Sequence, residues 1–167
     1  MTATTWTVVT DGGGQVSIVP RPRGGAQLAE DLLALREAGV DLLISALAPL
    51  EATELGLAGE GAAATAAGME FWPLPVTDMA VPADMPVFLE TLEEIADRVR
   101  AGEHVAVHCY ASRGRSGIIS SLLLALCGWE IGQALDQLSA VRGYRVPETA
   151  EQRSWVRRAA EQIHSGT

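Results

Sequence analysis

A chain of 167 residues, 48% apolar and 20% charged, is long enough for one domain with a substantial core and too apolar for wholesale disorder. Its net charge is −9 and all 12 cations are arginine, a balance that argues against a nucleic-acid binder with a broad basic face. No basic N-terminal stretch leads into a long apolar core, and no apolar run reaches the ~18 residues of a membrane helix. The expectation is a soluble cytoplasmic protein without stable membrane insertion.

In chain order, Trp6–Val9 and Val16–Val19 read as short strands joined by the turn Asp11-Gly12-Gly13-Gly14. Pro20 to Gly25 is a loop. Leu28, Leu32 and Leu35 have helical spacing within Gln27–Ala38, and Gly39 is the stop. Leu42–Leu47 is a continuous apolar strand of the kind covered on both faces. The stretch 48–68, rich in alanine and glycine, divides into short helices at Glu51–Leu55 and Glu60–Ala67. Phe71–Leu74 is the next strand and Ala83–Ala101 a long helix. Val105–Val107 forms a buried strand, followed by a loop and the apolar helix Ser116–Leu126. Trp129–Arg142 and Thr149–Ile163 complete the chain. This alternation predicts an α/β fold, a mostly parallel central sheet flanked by helices, in a single domain over residues 1–167.

Chemistry concentrates in residues 104–118, EHVAVHCYASRGRSG. The strand ends at His108-Cys109, and only Tyr110, Ala111, Ser112, Arg113 and Gly114 separate Cys109 from Arg115. A loop this short, closing on a helix start, turns successive N–H groups inward and makes a concave anion site. Such amides and the helix dipole favour a thiolate over a thiol. Arg115 brings a planar fork able to hold two phosphate oxygens. A thiolate facing a bound phosphate is equipped for phosphoryl transfer through a covalent intermediate. The loop also lies at the carboxyl end of a strand, where such sheets bind ligands.

The segment HCYASRGRSG resembles the signature loop of the cysteine-dependent protein tyrosine phosphatases and their dual-specificity relatives, HC-x-x-G-x-x-R-[ST], here in a small, bacterial-type, single-domain form. His108, Cys109, Arg115 and Ser116 match, as do Gly114 and Gly117 in the tyrosine-phosphatase version; Ser112 replaces the usual mid-loop glycine. If that position requires φ > 0 or close ligand approach, the serine strains the loop; otherwise its hydroxyl is harmless. The resemblance implies the phosphatase fold, Cys109 as nucleophile, Arg115 and the amides of residues 110–115 as the phosphate cradle, and Ser116 as donor to the departing thiolate. It makes His108 a residue that holds the loop by hydrogen bonds.

The resemblance also asks for an aspartate roughly thirty residues upstream, on a separate loop. FWPLPVTDMAVP supplies Asp78, the first choice for general acid; Asp84 is the fallback and reads as a helix cap. In VPETAEQRSWV, Gln152 is the counterpart of a glutamine that faces the site and helps position water. It equally completes a capping box with Thr149, and the two roles compete for one side chain. The resemblance implies no metal and no cofactor, and no His/Cys/Asp cluster has ligand spacing. Cys127 ends an apolar run and reads as a small buried hydrophobe, and two cysteines make no disulfide framework.

The substrate implied is a phosphorylated protein or a small anionic phosphate ester. Five arginines against three glutamates from Arg142 onward make a locally basic region on an acidic body, which suits an anion. Arg113 adds a cation within the loop, as lipid-phosphatase relatives do, so a phosphoinositide is the enzymatic alternative. A phospho-ligand binder disabled by Ser112 ranks below it. Sulfur or arsenate chemistry, which has no use for Asp78, ranks last.

Overall fold

The computed structural model describes residues 2–166. Its strands are β1 (Trp6–Val9), β2 (Gln15–Ile18), β3 (Leu42–Ser45), β4 (Glu70–Pro73) and β5 (His104–His108). Its helices are α1 (Leu28–Glu37), α2 (Pro49–Glu54), α3 (Glu60–Ala67), α4 (Met85–Arg100), α5 (Arg115–Leu126), α6 (Ile131–Arg142) and α7 (Ala150–Ser165). The sheet order is β1-β2-β5-β3-β4. β1 pairs antiparallel with β2, and every other neighbour is parallel.

Alternation along the strands sorts the core into two layers. Leu42 and Ile44 of β3, with Val105 and Val107 of β5, pack with α4, α5, α6 and α7. Leu43 and Ala106 point the other way, into Leu28, Leu32 and Leu35 of α1 and Ala64 of α3. Both central strands are buried throughout, as expected for parallel strands covered on two faces. α5 shows no amphipathic stripe because it is buried on nearly all sides, with only Leu126 partly open.

Most element boundaries differ from the sequence expectation by one or two residues, for local reasons. β3 ends at Ser45, although Leu74 and Val76 N–H still donate to the Ser45 and Ala46 carbonyls at 2.8 and 3.1 Å. α4 starts at Met85 because Asp84 Oδ1 accepts from Val87 N–H at 3.1 Å. α6 starts at Ile131 because the Glu130 carboxylate takes the N–H groups of Gly132 and Gln133 at 2.9 and 2.8 Å. The hairpin turn presses on the end of α4, where a Cβ at Gly14 would stand 1.9 Å from the Val99 carbonyl oxygen. No described helix is long and apolar enough to cross a membrane.

Candidate active site

The central strand β5 delivers Cys109 to its carboxyl end, and the chain turns directly into α5. Cys109 is 2% exposed. Its Sγ donates to Ser116 Oγ at 3.3 Å and accepts from the Ser116 backbone N–H at 3.5 Å, so the first turn of α5 engages the sulfur twice. A cavity of about 160 Å³ opens over it, lined by Asp78, Met79, Tyr110, Ala111, Gly114, Arg115, Glu148 and Gln152 as well as Cys109. A larger cavity of about 260 Å³ lies between residues 2–4, the segment Pro20–Arg23 and α1; its lining holds no cysteine or histidine. The smaller cavity, which holds Cys109, Arg115 and Asp78, is the candidate site.

Arg115 opens α5 with its side chain almost fully buried. Its Nη1 and Nη2 donate to Glu51 Oε1 and Oε2 at 2.6 and 3.0 Å, and Nη1 also donates to the Val76 carbonyl at 2.9 Å. Nη2 lies 3.0 Å from Asp78 Oδ1. A buried guanidinium needs such partners, because an unpaired charge at this depth would be strongly destabilising. Hydrogen bonds from Arg115 hold Glu51 below the usual carboxylate range. Burial pulls Arg115 down, but Glu51 and nearby Cys109 together leave it above its ordinary value. The Arg115 fork thus meets Glu51 and Asp78 here, and a phosphate would have to join or displace those carboxylates. Sequence reasoning missed Glu51. Its only signal was an acid three residues into a helix, and it does accept the Ala48 N–H at 3.0 Å in that capacity.

Asp78 stands at the cavity mouth with its side chain 57% exposed, in a loop whose next residue, Met79, has φ of +62°. Asp84 is instead the N-cap of α4. Gln152 is fully buried. Its Oε1 accepts from Thr149 N–H at 3.1 Å and its backbone N–H donates to Thr149 Oγ1 at 3.0 Å, a complete capping box. Its Nε2 donates to the Ala80 carbonyl at 3.1 Å, and the side chain lines the cavity. The capping role is thus present, and the side chain also borders the cavity with its amide oxygen engaged by Thr149 and its amide nitrogen by Ala80. Gly114 makes room for this side chain: a Cβ there would lie 3.0 Å from Gln152 Oε1.

His108, buried, lies with Nε2 2.5 Å from Glu60 Oε2 and Nδ1 3.3 Å from the Cys109 carbonyl oxygen. Glu60 is 2% exposed, a carboxylate that nothing in its alanine-rich surroundings announced. Ser112 has φ of +54°, the left-handed region in which glycine is free and other residues are strained. Its hydroxyl donates to the Val19 carbonyl at 2.6 Å, an interaction glycine cannot make. The position thus does require the unusual backbone, and the serine compensates with a bond to β2's end. The Arg113 guanidinium stacks on Tyr144, 4.7 Å from the ring centre, outside the cavity lining.

A buried sulfur at the start of α5, a buried guanidinium and a carboxylate at the mouth thus meet around one cavity. Solved structures that are similar in fold include proteins named as phosphatases. Kinase associated phosphatase with its catalytic cysteine replaced by serine is similar over 99% of this chain and 98% of its own, at TM-score 0.84 and 17% identity. Tk-PTP, in a glycine-to-alanine mutant form, is similar over 96% and 99%, at TM-score 0.73 and 26% identity. PTPMT1 in complex with PI(5)P is similar over 96% and 98%, at TM-score 0.72 and 21% identity. No curated protein matches by sequence. The family model described as "Polymorphic toxin system, DSP-PTPase phosphatase" matches residues 19–128, and the chain belongs to that family. It is a phosphatase of the dual-specificity, protein-tyrosine-phosphatase type.

Proposed function

We propose that the chain hydrolyses phosphomonoesters of proteins, phosphotyrosine first among them, in two steps through a phosphocysteine. In the first step Cys109 Sγ attacks phosphorus in line. The S–P bond forms, the P–O bond to the leaving group breaks, and Asp78 gives its proton to the departing oxygen. In the second, water attacks phosphorus, Asp78 takes a proton from it, and the S–P bond breaks with Ser116 donating to the departing thiolate. Inorganic phosphate leaves and the starting protonation is restored. The loop amides and Arg115 bind the equatorial oxygens, where charge spreads in the transition state.

One observation carries this reading: Cys109, Arg115 and Asp78 all line one cavity, with Ser116 Oγ and N–H both within hydrogen-bond reach of the Cys109 sulfur. A thiolate of this kind needs a reducing compartment, so the proposed location is the cytoplasm. A second reading, a phosphoinositide or other polyanionic ester, draws on Arg113 and Arg142, which meet at the Tyr144 ring and have no carboxylate partner among the described ion pairs. A panel of phosphotyrosine and phosphoserine peptides and phosphoinositides separates the two. Cys109→Ser is expected to abolish turnover of every substrate while oxyanion binding persists. Retention of more than a few per cent of activity would remove Cys109 from the nucleophile's role.

A further inference from the structure

Amides can face an anion only if the carbonyls of the same peptides face away, and carbonyls turned into the protein need donors of their own. In this loop three consecutive carbonyls are served by arginines from outside it. The Ser112 carbonyl accepts from Arg142 Nε at 2.9 Å, the Ala111 carbonyl from Arg142 Nη2 at 3.2 Å, and the Tyr110 carbonyl from Arg21 Nη1 at 3.0 Å. Arg142 is the last residue of α6 and is itself fixed by two rings. Its Cζ lies 3.9 Å from the centre of Trp6, on β1, and 4.9 Å from that of Tyr144. Arg21 stacks on Tyr110 at 4.4 Å.

From this geometry we infer that Arg142, with Arg21 in a lesser part, is a positioning residue for the phosphatase reaction: it holds the loop's carbonyls outward and so its amides toward the anion. The inference rests on the phosphatase reading given above. Neither arginine joins an ion pair among the described residues, so their charge is not cancelled by a carboxylate. A cation on the carbonyl side of a peptide polarises its N–H toward the opposite side, where a bound phosphate would sit. The bidentate contact on residues 111 and 112 also braces the left-handed turn at Ser112. Arg142, Trp6 and Tyr144 all lie outside residues 19–128, the part matched by the family model, so nothing in that match assigns them this role. Arg21's bond is exposed, hence its smaller share.

The test compares Arg142→Ala, Trp6→Leu and Arg21→Ala with the wild type by calorimetric binding of inorganic tungstate and by steady-state hydrolysis of an aryl phosphate. Misplacing a preorganised group by about 1 Å costs on the order of 10²-fold in rate. Arg142→Ala is accordingly expected to lower kcat about 10²-fold and weaken tungstate binding about tenfold or more, with KM for the aryl phosphate changing less. A cooperative melt should be retained, and millimolar guanidinium should restore part of kcat in this variant and none in the wild type. Trp6→Leu is expected to weaken tungstate binding several-fold, and Arg21→Ala less than Arg142→Ala. Adding Trp6→Leu to Arg142→Ala should cost little more, because the ring acts through the arginine. Tungstate affinity and kcat within twofold of wild type in Arg142→Ala would overturn the inference. Should that variant fail to fold, unchanged tungstate affinity in Trp6→Leu does the same. A wild type that hydrolyses no phosphomonoester sinks the phosphatase reading alone, since the tungstate comparison still decides the positioning role.

Discussion

Ser112→Gly restores the residue that the signature loop usually carries, yet the structure predicts that it destabilises the protein. The serine sits at φ of +54°, where an ordinary residue costs about 1–2 kcal/mol relative to glycine. Its hydroxyl donates to the Val19 carbonyl at 2.6 Å in a buried setting. Losing that bond and leaving its acceptor unpaired costs about 1–3 kcal/mol. Glycine also loses roughly 0.5–1 kcal/mol more chain entropy on folding. The two costs outweigh the relief of strain by about 1 kcal/mol, a fall in Tm of roughly 2–4 °C for a chain of this size. Ser112→Ala loses the bond and keeps the strain, so it is expected to fall about twice as far, by roughly 4–8 °C. Thermal and urea melts of the three proteins measure the order, wild type above glycine above alanine. Aryl phosphatase activity of Ser112→Gly should stay within a few-fold of wild type, because Arg142 still holds the neighbouring carbonyls. A glycine variant more stable than the wild type, or alanine no worse than glycine, would refute the idea that the hydroxyl offsets the strain.

Asp78→Asn should slow hydrolysis of esters with poor leaving groups by about 10²–10⁴ and scarcely affect an activated aryl ester, which leaves without a proton. Equal losses on both, measured as kcat/KM, would make Asp78 structural. Arg113→Ala should weaken polyanionic substrates more than a monophosphorylated peptide if the guanidinium leaves Tyr144 to meet them; KM across the substrate panel decides, and a uniform small change removes the phosphoinositide reading. Stability should fall as the pH drops below about 6.5, because the unfolded His104 imidazole then takes up a proton that burial denies the folded one. Its Nδ1 has no hydrogen-bond partner among the described residues, and Asp41 opposes the effect only in part. Urea midpoints between about pH 7.5 and pH 5.5 should decline in the wild type and flatten in His104→Gln; equal slopes would refute this.

The sequence was most readable where one local rule decided the outcome. Continuous apolar runs located the central strands and α5, helical spacing located α1, and the signature loop led to Cys109, Arg115 and Ser116 because they lie within eight residues. Asp84 and Thr149 were readable as caps for the same reason. Glu51, Glu60, Arg21 and Arg142 were not. Each acts on the loop from 48 or more residues away or from a different element, and only the packing of α2, α3, α6 and the β2 exit brings them there. Ser112 lay between the two cases: the sequence posed the question of positive φ, and Val19, far along the chain, supplied the answer.

The central claim is that phosphate passes through a covalent bond to Cys109. Acid quenching of the Asp78→Ala variant within its first turnover of an aryl phosphate, followed by peptide mapping by mass spectrometry, tests it directly. The account predicts a phosphate adduct on the peptide bearing Cys109, appearing together with a burst of free phenol and absent from Cys109→Ser. A burst with no adduct on that peptide, or an adduct on another residue, would contradict it.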